Sequence, residues 1–253
     1  LKQDRPKLIT FGASLFCEKA RWALDWHGID YQEVGWPPGL HQILAKRCGA
    51  EGTTLPILLD GETVIQGSGA IIDWADQRTH DRGRELTLAE AREIEVRADG
   101  IIGVHVRRLA YAEMLPKYPH LAKPGLFRNV SRTHRLVGNM MWPLTRRVMM
   151  KMYDVTPEAA SESRAKLEAE LDWLDSKLSD DRSYLVGDRF SRADLTVSSL
   201  LAPFACPEEI PALREGTFPG DLVADTERWR QRPVMRWVKE QYEAHRAPLR
   251  RAA

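Results

Sequence analysis

Cysteine is scarce in this chain of 253 residues: Cys17, Cys48 and Cys206 are three in number and far apart. An odd count with no ligand spacing excludes a disulfide framework and a structural zinc site, and makes a reducing cytoplasm the expected setting. No apolar run approaches the roughly 18 residues of a membrane span, and the opening LKQDRPKLIT lacks the apolar core of a signal peptide. Neither charge is in surplus. With 37 Lys and Arg against 36 Asp and Glu, the net charge of +1 supplies no global field to gather nucleic acid or an anionic membrane. Internal repeats and low-complexity segments are also missing. What remains is a chain long enough for one large domain or two of ordinary size.

The pattern of what is present changes part-way along. KLITF is a short β-branched and aromatic run, and FCEKARWALDWHG then places Phe16, Ala20, Ala23, Leu24 and His27 at helical spacing before Gly28 stops the helix. DYQEV is a second strand, and a crossover of that length makes a parallel pair. After the connector VGWPPGLHQILAKR, PILL and ETVIQ form a hairpin about an Asp60-Gly61 turn, and GSGAIIDWADQ closes the unit as a helix. The order is βαβ, a connector, then ββα. Beyond a boundary near 78–86 the strand signals stop. LTLAEAREIEVRADGIIGVHVRRLAYAEML is one long helix or a kinked pair, and the prolines of PKYPHLAKPG break it. TPEAASESRAKLEAELDWLDSKL has Thr156 as cap, Pro157 at the first helical position and Leu167, Leu171, Leu174 and Leu178 down one side. Further helices start at SRADLTVSSLLAPF and are expected over 221–231 and 233–246.

Three stretches, in this order, are similar to the glutathione transferase superfamily: SLFCEKARWAL, with the spacing S-x-x-x-x-K-x-R; TTLPILLDGETVIQGSGAI; and YLVGDRFSRADLTV. The resemblance covers roughly residues 6–245 and suits a serine-type, bacterial-like member. It implies an α/β thioredoxin-like domain (βαβ-ββα) over 6–80 that binds glutathione. An all-α helical bundle over 86–246 would supply the second-substrate pocket. It implies homodimerisation, glutathione as co-substrate with no metal, a detoxifying transfer to a small hydrophobic electrophile, and no nucleic-acid or membrane partner.

Ser14 precedes the first helix, where unpaired N–H groups and the helix dipole favour negative charge. A serine there is an N-cap. It can also donate a hydrogen bond to a thiolate, and in the family this position activates the sulfur of glutathione. Cys17 stands where the second cysteine of a C-x-x-C pair would be. With Ser14 in place of the first there is no dithiol couple, so Cys17 is a buried helix residue or the thiol of a glutathione-linked reductase. The resemblance implies that Leu55, ahead of a cis Pro56, pairs its main chain with the cysteinyl part of glutathione, and that Ser68 seats the γ-glutamyl carboxylate at a helix N-terminus. Gln66 and Gly67 belong to the same segment. Gly67 departs from the family, which has an acidic residue or Gln there, and this favours the alternative of a binding or scaffold protein that no longer turns over. Trp36, His41 and Lys46 are placed to cover the glycyl end.

Tyr111, Met114 and Trp142, with the methionines around them, would line the second-substrate pocket or form core. Arg107, Arg108, Arg146 and Arg147 are solvated or dimer-facing, or bind an acidic acceptor. Ser191 and Asp194 form a capping box flanked by Phe190 and Leu195, a structural element whose loss lowers stability.

Overall fold

The structure, a computed structural model, describes residues 5–79, 82–210 and 218–246. Positions 80 and 81 of the expected boundary, and the first four residues of the opening segment, lie outside the described residues. Two compact units emerge. Among the described residues, one holds the chain up to Glu85 together with Lys123–Val148; the other holds Leu86–Ala122 and the residues from Met149 to Arg246.

In the first unit, strands β1 (Lys7–Thr10), β2 (Gln32–Gly35), β3 (Ile57–Asp60) and β4 (Thr63–Gln66) form one sheet in the order β2-β1-β3-β4. The β1–β2 pair is parallel and the other two are antiparallel, with Ile9 opposite Ile57 and Ile57 opposite Gln66. Alternation along the strands divides the core. Leu8 and Leu58 face one way, onto Ala20 and Leu24 of helix α1 (Leu15–Trp26) and Ile71, Trp74 and Ala75 of α3 (Ser68–Asp76). Ile9 and Ile57 face the other, onto Ala45 of α2 (Leu40–Arg47). This is the thioredoxin-like βαβ-ββα order, with α2 arising inside the stretch that reads as a connector. His41 and Ala45, four apart, form its buried side. The hairpin turn falls one residue later than expected. Asp60 still pairs with Thr63, so Gly61 and Glu62 are the turn, and only Gly61 takes a positive φ, +59°.

The remainder is helical. The long amphipathic stretch is a kinked pair, α4 (Ala89–Gly100) and α5 (Ile102–Lys117), broken at Ile101. The proline-rich segment does not stay open: Pro119 begins α6 (Pro119–Leu126), which runs through Pro124, and α7 (Arg132–Met152) follows. Pro119 is tolerated because a first helical position needs no N–H partner. In α8 (Pro157–Lys177) Thr156 accepts from Ala159 N–H at 3.1 Å, and Leu167, Leu171 and Leu174 are fully buried. Every residue of α9 (Arg192–Ala205) is buried. α10 (Leu222–Arg230) and α11 (Pro233–His245) complete the second unit.

The segment 123–148 attaches to the first unit through backbone. Gly35 N–H donates to Asn129 C=O at 3.2 Å, Gly35 bridges Val130, and a Cβ on Gly138 would press on Phe127 and Pro37.

Candidate functional site

The register of the sheet decides which loops meet. Because Ile9 faces Ile57 and Ile57 faces Gln66, the ends of β1 and β4 and the start of β3 lie at one edge of the sheet. That edge gathers the turn before α1, the Leu55-Pro56 bond and the entry to α3.

Ser14 is the N-cap of α1, in extended backbone (φ −79°, ψ 128°), and its Oγ accepts from Cys17 N–H at 3.3 Å. A hydroxyl has two acceptor sites and one proton, so capping leaves the O–H able to donate outward. Cys17 is wholly buried one turn into the helix, and burial pushes its thiol pKa up against the pull of Arg21 and Ser14. A thiolate at Cys17 is therefore disfavoured.

The turn itself is held from below. Arg21, 2 % exposed, donates through Nη2 to the carbonyls of Phe11 (3.2 Å) and Gly12 (3.4 Å), and through Nε and Nη2 to Glu33 Oε1 at 2.8 and 2.7 Å. Thr10 Oγ1 donates to the same oxygen at 2.7 Å. Burial alone would raise the Glu33 carboxyl, but Arg21 and these bonds hold it below the usual carboxylate range. Arg128 supplies a second guanidinium, donating to Gly12 C=O at 3.1 Å. A side chain at Gly12 would collide with Cβ of Arg128 and the carbonyl of Gly125, so the close approach requires glycine.

Across the edge, Leu55-Pro56 is cis, and Pro56 C=O accepts from Gly67 N–H at 3.0 Å, closing the second stretch on itself from the start of β3 to the entry of α3. Gln66 faces the loop: Gly52 N–H donates to its Oε1 at 2.8 Å, and its Nε2 donates to Thr54 C=O at 2.9 Å. Its amide is thus committed to holding residues 52–54. Gly67 is the N-cap of α3 at φ +94°, ψ 146°, a region essentially reserved for glycine, although no atom lies within 4 Å of a Cβ built there. Backbone conformation, rather than crowding, explains the departure at this position. Ser68 opens α3 and is 5 % exposed.

Family models for the glutathione S-transferase N-terminal domain and C-terminal domain match residues 8–83 and 140–219. The chain belongs to the glutathione S-transferase family. No curated protein sequence is matched. Solved transferase structures share the fold at low identity. A Ceriporiopsis subvermispora glutathione S-transferase in complex with glutathione superposes with a TM-score of 0.64 at 17% identity, covering 96% of this chain and 98% of its own. The transferase GSTFuA3 of Phanerochaete chrysosporium gives 0.63 at 15%, covering 97% and 99%. The β-etherase LigF of Sphingobium sp. strain SYK-6 gives 0.58 at 17%, covering 93% and 99%.

Other residues of this glutathione S-transferase singled out by sequence fall as follows. His41 is buried, its Nδ1 accepting from Gly39 N–H at 3.1 Å with its ring edge-on to Phe11, and burial pushes it down to about 4, so it is neutral at pH 7. Trp36 stacks on His134, and Lys46 is exposed in the last turn of α2. Trp142 is buried against Phe127 in the first unit. Tyr111, in the second, meets Tyr153 edge-on, and Met114 is half-buried. Arg107 lies over the Tyr153 ring and Arg108 donates to Tyr153 C=O at 3.1 Å. Around Asp194, the amides of Leu185 and Ser191 and the Ser191 hydroxyl all donate to its carboxylate, closing the capping box.

Arg128 and Glu33 are the site residues that sequence reasoning missed. Arg128 reaches Gly12 across more than a hundred residues and Glu33 meets Thr10 from the neighbouring strand, and the one available signal was a glycine, Gly12, with no turn motif to explain it.

Proposed function

We propose that this chain is a glutathione-dependent transferase or lyase in which Ser14 holds the glutathione thiolate for attack on a small apolar electrophile. The observation that carries the reading is the Ser14 hydroxyl at the N-terminus of α1, whose oxygen accepts from Cys17 N–H and whose O–H is a donor suited to a thiolate. The glutathione thiol releases its proton to solvent, the Ser14 O–H and the helix N-terminus stabilise the sulfur anion, and the sulfur lone pair forms the new C–S bond as the leaving group departs with its electrons. Leu55 N–H and C=O pair with the cysteinyl unit, and Ser68 with the first amides of α3 takes the γ-glutamyl carboxylate. Tyr111 and Met114 belong to the apolar side of the second-substrate pocket, and the enzyme works as a cytoplasmic homodimer. Burial of Cys17 speaks for Ser14 over a reductase that uses a protein thiol.

The test is a glutathione titration followed by ultraviolet thiolate absorbance at neutral pH. Wild type is expected to develop a saturable thiolate band and Ser14→Ala none. Ser14→Asp keeps the cap, because Asp ranks with Ser at that position, but brings a negative charge and no proton. A band retained in Ser14→Asp would defeat the mechanism. Saturable binding without a band in wild type would assign the fold to a binding protein.

A further inference from the structure

From Met114 to Tyr153 the chain runs for forty residues without Asp or Glu while carrying eight of its 37 Lys and Arg. The rest is net acidic by seven, so the near-neutral total hides a separation of charge. Helix α7 lies within that stretch. One side of it is buried through Gly138, Trp142, Thr145 and Met149. Elsewhere on it Leu136, Met140, Leu144, Val148 and Met152 follow at four-residue intervals, all exposed, Met140 to 77%. Val137 and Met141 widen the band. Seven of the ten large apolar side chains exposed among the described residues therefore sit on one helix, a concentration that scattered surface residues do not produce. Arg132, Arg147 and Lys151 are exposed along the same helix.

We infer that this face of α7 docks on the interface of an anionic lipid bilayer. The apolar band enters the headgroup–acyl boundary over a length of about 24 Å, and the Arg and Lys side chains extend their stems to reach lipid phosphates. The sign of the charge selects an anionic occupant. A second copy that met this face with its own α7 would lay one acid-free helix against another, cation facing cation. The band offers Leu, Met and Val, whose flexible side chains adapt to a fluid layer. Among the described residues no helix is long and apolar enough to cross a membrane, so α7 lies in the plane of the interface.

Co-sedimentation of the full chain with vesicles tests this, using phosphatidylcholine alone and an equal mixture with phosphatidylglycerol, at low and high salt. The protein is expected to bind the anionic vesicles and not the neutral ones, and to release at high salt. The pair Arg147→Gln and Lys151→Gln should weaken binding about 25-fold, at roughly fivefold per charge. The pair Met140→Glu and Leu144→Glu should abolish it. All four side chains are exposed, and circular dichroism verifies that both variants fold. Equal association with neutral vesicles, or none with either kind, overturns the proposal. So does light scattering that finds a wild-type dimer turned into a monomer by the Met140→Glu, Leu144→Glu pair with no vesicle binding, which would give the face to a second copy.

Discussion

Replacing Asp194 by Ala should lower stability in a way that depends on pH with a sign opposite to that of most acidic residues. Its carboxylate is fully buried at the first turn of α9 and accepts from Leu185 N–H at 2.7 Å, Ser191 N–H at 2.8 Å and Ser191 O–H at 2.7 Å. The substitution leaves two buried amides without acceptors, at about 1–3 kcal/mol each, and removes half of a capping box worth about 1 kcal/mol. Against this, a carboxylate no longer has to be desolvated: burial pushes the Asp194 pKa up to about 6, outweighing the hydrogen bonds that pull it down. That displacement of about two units offsets the loss by up to about 3 kcal/mol at neutral pH. The net expectation at pH 7.5 is a loss of up to about 4 kcal/mol, read as roughly 2–4 °C of Tm for each kcal/mol.

The folded carboxyl binds its proton more readily than the unfolded one, so stability from this group is fully present below the unfolded pKa and is lost as pH rises through about 6. The advantage of wild type over Asp194→Ala should therefore grow on acidification, by about 1 kcal/mol between pH 7.5 and pH 5. Urea unfolding followed by tryptophan fluorescence at the two pH values measures it. An advantage that shrinks toward pH 5, or a Tm unchanged at both, would refute the reasoning. Thiolate formation per folded molecule should be unaffected.

Three further outcomes are expected. Gly67→Ala should destabilise by about 1–3 kcal/mol although there is room for a methyl group, because the backbone conformation is the obstacle; an unchanged unfolding midpoint would remove that explanation. Arg21→Met takes the guanidinium away from buried Glu18 and half-buried Glu33 and should cost about 3–5 kcal/mol, whereas the double change with Glu33→Leu should recover part of it, as a double-mutant cycle would register. Gly12→Ala should displace Arg128 from the turn and weaken the glutathione thiolate band more than it lowers Tm; a loss in Tm alone would make the contact purely structural.

Period and punctuation carried the fold a long way. Leu8 and Leu58 facing α1 and α3, with Ile9 and Ile57 facing α2, is the two-residue alternation visible in KLITF and PILL. The Thr156-Pro157 start of α8 is local chemistry, legible for the same reason. What escaped was decided at long range. α2 was hidden behind a Trp-Pro-Pro-Gly run that reads as loop, and α6 behind prolines that tertiary packing accommodates at Pro119 and within the helix at Pro124. At the candidate site, the resemblance singled out Ser14, Leu55-Pro56 and Ser68, and the structure shows each at the opening of a helix or strand. The clamp of Gln66 on residues 52–54 and the contact of Arg128 with Gly12 depend on which loops the sheet register brings together. No local pattern encodes that.

The first compact unit is discontinuous in the chain, with Lys123–Val148 lying against Gly12, Gly35 and Pro37. During synthesis, therefore, its strands and first three helices are complete at Glu85 but must await about sixty more residues before Arg128 reaches the Gly12 carbonyl and Trp142 packs against Phe127. At about 5–20 residues per second that is a delay of several seconds. The nascent α/β unit spends it with the Gly12 turn held by Arg21 but not yet by Arg128.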